Sequence, residues 1–127
     1  MNQNKETTTD VRFVKTACQS PRHVRMQTID KPATCWEFVE DCLWEMFDDP
    51  DEFVTLTIED IKEHVRFVQA VLQDDQTIVQ LGIEEDDQIR LVEKICPQRE
   101  CMDIFRKFYE TTQVTGLEDY TPVEFYK

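Results

Sequence analysis

Glycine and serine are nearly missing from this chain. Its 127 residues include two glycines, Gly82 and Gly116, and a single serine, Ser20. A phosphate-cradling loop needs several glycines so that backbone N–H groups can converge on the anion, and none can be built here. Ser20 lies in a turn-like QSPR stretch with no adjacent histidine, which argues against a serine nucleophile. Histidine is also scarce, with only His23 and His64. A Cys–His pair such as Cys101 with His64 would need spatial proximity and a third orienting group, and neither is visible in sequence. No apolar run exceeds four residues, far short of the roughly 20 that a membrane helix needs. The opening MNQNKETTTD is polar, lacks the apolar stretch of a secretory signal and shows no lipidation motif.

The chain does carry charge, chiefly of one sign. Twenty-seven acidic residues face 14 basic ones, a net of −13. Residues 34–93 hold eighteen acidic and three basic side chains, so this middle block alone carries −15, whereas residues 1–33 are net +3. Such a field repels nucleic acid and anionic membranes and attracts basic partners. Solubility alone would explain much of the charge equally well. Hydrophobic residues make up 40% of the sequence, enough for one packed core. The expected organisation is a frayed tail over 1–10 and a single domain over 11–127.

Five cysteines, Cys18, Cys35, Cys42, Cys96 and Cys101, are an odd number without a secretory signal. Reduced thiols in a cytoplasm fit better than a disulfide framework. Cys35 and Cys42 read as small core hydrophobes on one helix face. Cys96 and Cys101, in CPQREC, supply half of a metal site whose other half is missing, so structural thiols are the better reading. The acidic runs 48–52 (DDPDE) and 84–87 (EEDD) lack the alternating ligands and central glycine of a calcium loop and read as solvated turns. No metal or cofactor is expected, and no enzymatic motif stands out.

Periodicity sets out the fold. Residues 11–18 and 23–29 read as a β-hairpin around QSPR, with DKPAT ending its second strand. Residues 34–48 read as a helix opened by a Thr34–Glu37 capping box and closed by Asp49-Pro50-Asp51. Four strand-like runs follow at 53–59, 65–72, 77–84 and 88–95, joined by short polar links that favour antiparallel neighbours. The second run is apolar on both faces, as a central strand would be, and Gly82 in the third suggests a bulge or close contact. A second helix spans about 98–113, with Pro97 at its start and Gly116 after its end. The last residues, with Tyr120, Val123, Phe125 and Tyr126, are too apolar for a free tail and should dock. The predicted class is α+β, ββ-α-ββββ-α, with an antiparallel sheet of five or six strands packed against two amphipathic helices.

One residue breaks its local pattern. Trp44 falls on the acidic face of the first helix among Glu37, Glu40, Asp41, Glu45 and Asp48. An indole rimmed by carboxylates matches an interface hot spot with a charged rim. Coverage by the aromatic tail or by a second copy is the competing explanation. The candidate partner surface is Trp44 with these five acids, extended by the turns at 48–52 and 84–87, including Glu85 and Asp86.

The helix with Trp36, Phe38 and Leu43, the strand FVTLTI and the strand RFVQA (Arg66 to Ala70) together resemble two groups. These are the type III secretion chaperone-like (TY-Chap) domains and small acidic bacterial immunity proteins that neutralise toxins. The likeness covers about residues 34–113, and the N-terminal hairpin departs from the chaperone pattern, in which a helix comes first. It implies a non-enzymatic protein that holds another protein. The first reading is an immunity-type inhibitor of a toxin or other basic protein, compatible with a free monomer or a homodimer. The alternative is a chaperone-like homodimer that binds an extended client segment, and an intracellular structural or regulatory domain is a third. Titration under denaturing, non-reducing conditions is expected to find all five thiols; finding one or three would overturn the cytoplasmic reading.

Overall fold

The computed structural model describes residues 22–59 and 65–123. The elements run β1 Arg22–Arg25, β2 Asp30–Pro32, α1 Trp36–Phe47, β3 Phe53–Ile58, β4 Val65–Gln73, β5 Gln76–Glu85, β6 Gln88–Cys96, α2 Gln98–Thr111, a 3-10 turn at Leu117–Asp119, and β7 Thr121–Pro122. The strands form one sheet ordered β2-β1-β3-β4-β5-β6-β7, and every neighbouring pair is antiparallel. The α+β class is as expected from sequence, with seven strands among the described residues rather than five or six.

Alternation along the strands divides the sheet into two faces. Val24, Leu56, Val68, Leu81 and Val92 stand in one register row, and all are buried. Against this side pack Val39, Cys42, Leu43 and Met46 of α1 and Cys101, Phe105 and Phe108 of α2 in one core. Each such aliphatic or aromatic side chain contributes about 1.5–3 kcal/mol on burial. The opposite face carries Arg25, Thr55, Gln69, Gln80 and Glu93 in the next register row. Here the Thr55 hydroxyl donates to Gln69 Oε1 (2.7 Å), the Gln69 amide to Gln80 Oε1 (3.2 Å), and the Gln80 amide to Glu93 Oε1 (3.1 Å).

β4 occupies the centre of the sheet; its Val68 and Ala70 are buried in the core, while Phe67 and Val71 stand half-buried on the opposite face. A bulge between Val65 and Phe67 turns Val65 to the helix side. Phe67 then lies over Gly82, where an added Cβ would sit 2.2 Å from Phe67 Cε2. The links β4–β5 and β5–β6 are two-residue turns in which Asp74, Asp75, Asp86 and Asp87 all have positive φ (51–65°). Aspartate tolerates this left-handed conformation better than most non-glycine residues, and such turns match the twist of a hairpin.

Several local expectations need correction. Residues 11–18 lie outside the described residues, as do residues 1–10, 60–64 and 124–127, so the first arm of the proposed hairpin is not described. The segment DKP does not merely end a strand: it forms β2 and folds back on β1, pairing His23 with Pro32 and Arg25 with Asp30. The capping box is not formed. α1 is entered from Cys35 in extended backbone without a side-chain cap, so Thr34 stands one residue too early to bond the free N–H groups. Cys35 is consequently exposed rather than a core thiol. Thr112, with φ 61°, ends α2, while Gly116, with φ 72°, opens the following 3-10 turn. The chain after α2 does dock: Tyr120 is buried and β7 pairs with β6 at Val92 and Glu93.

Gly82→Ala is expected to lower stability by about 1–3 kcal/mol in urea unfolding, as overpacking does. In a Phe67→Ala background the same change should cost much less. Equal losses in both backgrounds would show that the ring contact is not the cause.

Candidate functional site

α1 and α2 run antiparallel across the sheet. At one end Trp36 meets Tyr109, ring centroids 6.1 Å apart. At the other end Trp44 and Phe47 of α1 face Gln98, Arg99, Met102 and Asp103 of α2 across a groove of about 410 Å³. Trp44 is 55% exposed, and its ring meets Phe47 edge-on at 5.6 Å. Val39, Leu43 and Met46 face the core, so the helical period places Trp44 away from it. The sequence therefore located Trp44 correctly as an exposed indole. It missed the groove beside it, because the groove forms between helices distant in sequence. The signal that could have found it is topological: an antiparallel helix pair brings the end of α1 to the start of α2.

The acids divide into distinct groups. Glu37, Asp41, Glu45 and Asp48 are exposed on α1, and Glu40 is half-buried beside α2. Glu37 and Glu40 act across the helix pair on Arg106. Its guanidinium is held above its ordinary pKa chiefly by Glu110, at 3.1 Å, with Glu40 and Glu37 adding to the effect. Asp41 and Glu45 add to the field around the Cys42 thiol, which burial first and then these acids push up to about 11. Negative potential thus accumulates on the Trp44 side of α1.

The two acidic turns behave differently. Glu52 is not a solvated turn residue: it is buried and accepts hydrogen bonds from the backbone N–H groups of Gln27 (2.9 Å) and Phe53 (3.0 Å). It ties the β1–β2 turn to the start of β3. Glu85 and Asp86 do not join the Trp44 cluster. The end of α1 leads into Phe53, whose register row continues through Val71, Ile78 and Ile95. Glu85 lies seven residues further along β5, roughly 23 Å away at strand rise. There it binds Arg90 at 3.1 Å.

Cys96 and Cys101 are both buried. Burial, then Glu100, raises Cys96 to about 11, and burial, then Cys96, raises Cys101 further. Thiols held this firmly in the protonated form are poor nucleophiles and poor ligands. Among the described residues no three His, Cys, Asp or Glu side chains gather as a metal site, and no helix is long and apolar enough to cross a membrane. Comparisons with protein-family models, curated proteins and solved structures find no match.

The thiols supply a pH test. A folded pKa above the ordinary 9.0 stabilises the fold fully below that pH, and the gain is lost as pH rises towards about 11. The urea midpoint is expected to fall across this window. Iodoacetamide at neutral pH should modify Cys35 well before Cys42, Cys96 or Cys101, and equal rates would contradict the burial of the last three.

Proposed function

We propose that the chain is a non-enzymatic protein-binding protein of the immunity type, which blocks a toxin or other basic partner through the Trp44 face of α1. One observation carries this reading: a 55% exposed tryptophan stands beside an apolar groove and among carboxylates. A large exposed indole is costly in water and gives high affinity once desolvated. A basic side chain of the partner can lie against the ring while Asp41, Glu45 and Asp48 draw it in. An apolar side chain beside it can enter the groove between Phe47 and Met102. The net charge of −13 supports steering towards the basic clefts of enzymes that act on polyanions. Glu85 and Asp86, at the far end of the sheet, are outside this site.

The test begins with products of the neighbouring reading frames as partners. Trp44→Ala should leave the urea midpoint almost unchanged and weaken binding by about 2 kcal/mol or more, roughly 30-fold. Glu40→Lys with Asp48→Lys should slow association and reduce its salt dependence. A Trp44→Ala protein that unfolds, or that binds as tightly as the parent, would refute the site.

A further inference from the structure

We propose that the open face of the sheet is a homodimer interface, in which two copies pack sheet against sheet about a two-fold axis lying along β4. The surface is distinct from the Trp44 groove, which the dimer leaves exposed on the outer helical layer of each copy.

Among the described residues no helix packs on this face, and it carries an unbroken apolar row. Phe53, Val71 and Ile78 are half-buried in one register row that ends at Ile95, 60% exposed. On the other side of the polar row stand Phe67 and Leu91, also half-buried. Antiparallel sheets with one solvated face normally alternate apolar inwards with polar outwards. The row of Phe67 and Leu91 also holds His23 and Thr57, and Glu84 stands beyond it, so the apolar side chains gather on the Phe53–Ile95 side of the polar row.

That row also shows what fits against it. It runs from Arg25 on β1 through Thr55, Gln69 and Gln80 to Glu93 on β6, basic at one end and acidic at the other. The Asp30 carboxylate beside Arg25 is engaged chiefly by His23, whose hydrogen bond lowers its pKa, and Arg25 adds to that effect. A two-fold axis along β4, the middle strand of these five, reverses the row. Arg25 then faces Glu93 of the second copy, Thr55 faces Gln80, and Gln69 faces its own equivalent, as an isologous contact requires. Shape agrees with charge. A hollow lined by Phe53 and Phe67, and also by Arg25, His23, Asp30 and Glu59, lies on the β1–β4 side. The same rotation brings the projecting Ile95 of the second copy over it.

Five strands and the six residues of β3 give a projected footprint on the order of 480 Å² from strand spacing and rise. Side-chain relief brings this towards the roughly 800 Å² per partner of a stable interface. Aligned packing of two twisted sheets is a common way to bury such faces.

The partner-free, full-length chain tests the proposal. Light scattering and sedimentation at micromolar concentration should give twice the 15.2 kDa chain mass. Ile95→Lys should raise the dissociation constant at least about tenfold, as should Arg25→Glu or Glu93→Arg alone. The double variant Arg25→Glu with Glu93→Arg should restore the dimer to within about threefold, a rescue that a merely structural role would not give. Arg25 is exposed, so its variant remains informative should a change at Ile95 disturb folding. Trp44→Ala should leave the mass unchanged, which separates this proposal from the partner site. A monomeric parent chain would overturn it, including one whose sheet-face amides resist exchange because its own residues cover the face. Failure of the charge swap to rescue, or a dimer that dissociates with Trp44→Ala, would overturn it equally.

Discussion

Packing α1 and α2 on one side of a seven-stranded sheet divides the strand residues into two populations that are stabilised differently. On the helix side the row from Val24 to Val92 is held by burial and close packing alone. On the reverse side the central row is held by side chains that bond each other across the strands. The row has a direction. Each glutamine accepts from the strand before it and donates to the strand after it. Glu93 ends the chain of donors because an ionised carboxylate only accepts. A ladder of this kind fixes strand register, since a slip of one residue would break every rung and turn the core row outwards.

With so few cations, their placement matters to the helix layer. α2 has no basic residue in its last turn. Arg22 of β1 supplies one from outside, donating from Nε (3.0 Å) and Nη2 (2.9 Å) to the Tyr109 carbonyl, at the negative end of the helix dipole. The same guanidinium lies 5.6 Å from the Tyr109 ring centre, and Arg106 lies 5.9 Å from that of Trp36. Lys94 reaches Glu100 at 2.5 Å in the first turn of α2 and sits 5.0 Å from the Tyr120 ring centre. Cations on β1, α2 and β6 thus fasten the helices and the chain after them to the sheet, and the acids of α1 remain on the outer surface.

Much of this was legible in the residues. The helical period of 36–47 and 98–111 and the four long strands were clear because burial selects side chains at a fixed spacing. Trp44 stood out because it broke that spacing. What was not legible depended on partners distant in sequence. Asp30–Pro32 becomes a strand only because β1 lies beside it, despite a composition typical of turns. Glu52 looked like one more acid in DDPDE, and its burial depends on the Gln27 amide, 25 residues away. Glu85 and Asp86 resemble the acids of α1 in chemistry, but register places them at the other end of the sheet. A sequence motif such as Thr34–Glu37 also fails when the helix starts later than the motif requires.

Charge sorts the two broad surfaces into different roles. The helix side carries the acids of α1 around Trp44, with Arg99, Arg106 and Lys31 as cations against the helix pair. The sheet side pairs Arg66 with Glu84 and hydrogen-bonds His23 to Asp30, and keeps one basic and one acidic end on its polar row. A diffusing basic protein is therefore drawn to the helix side, and the sheet side offers it little long-range attraction. Two copies of a chain of net charge −13 repel each other at distance, and that repulsion is least where local pairs cancel. The proposed homodimer accordingly uses the face to which the proposed basic partner is not drawn, so the two proposals do not compete for one surface.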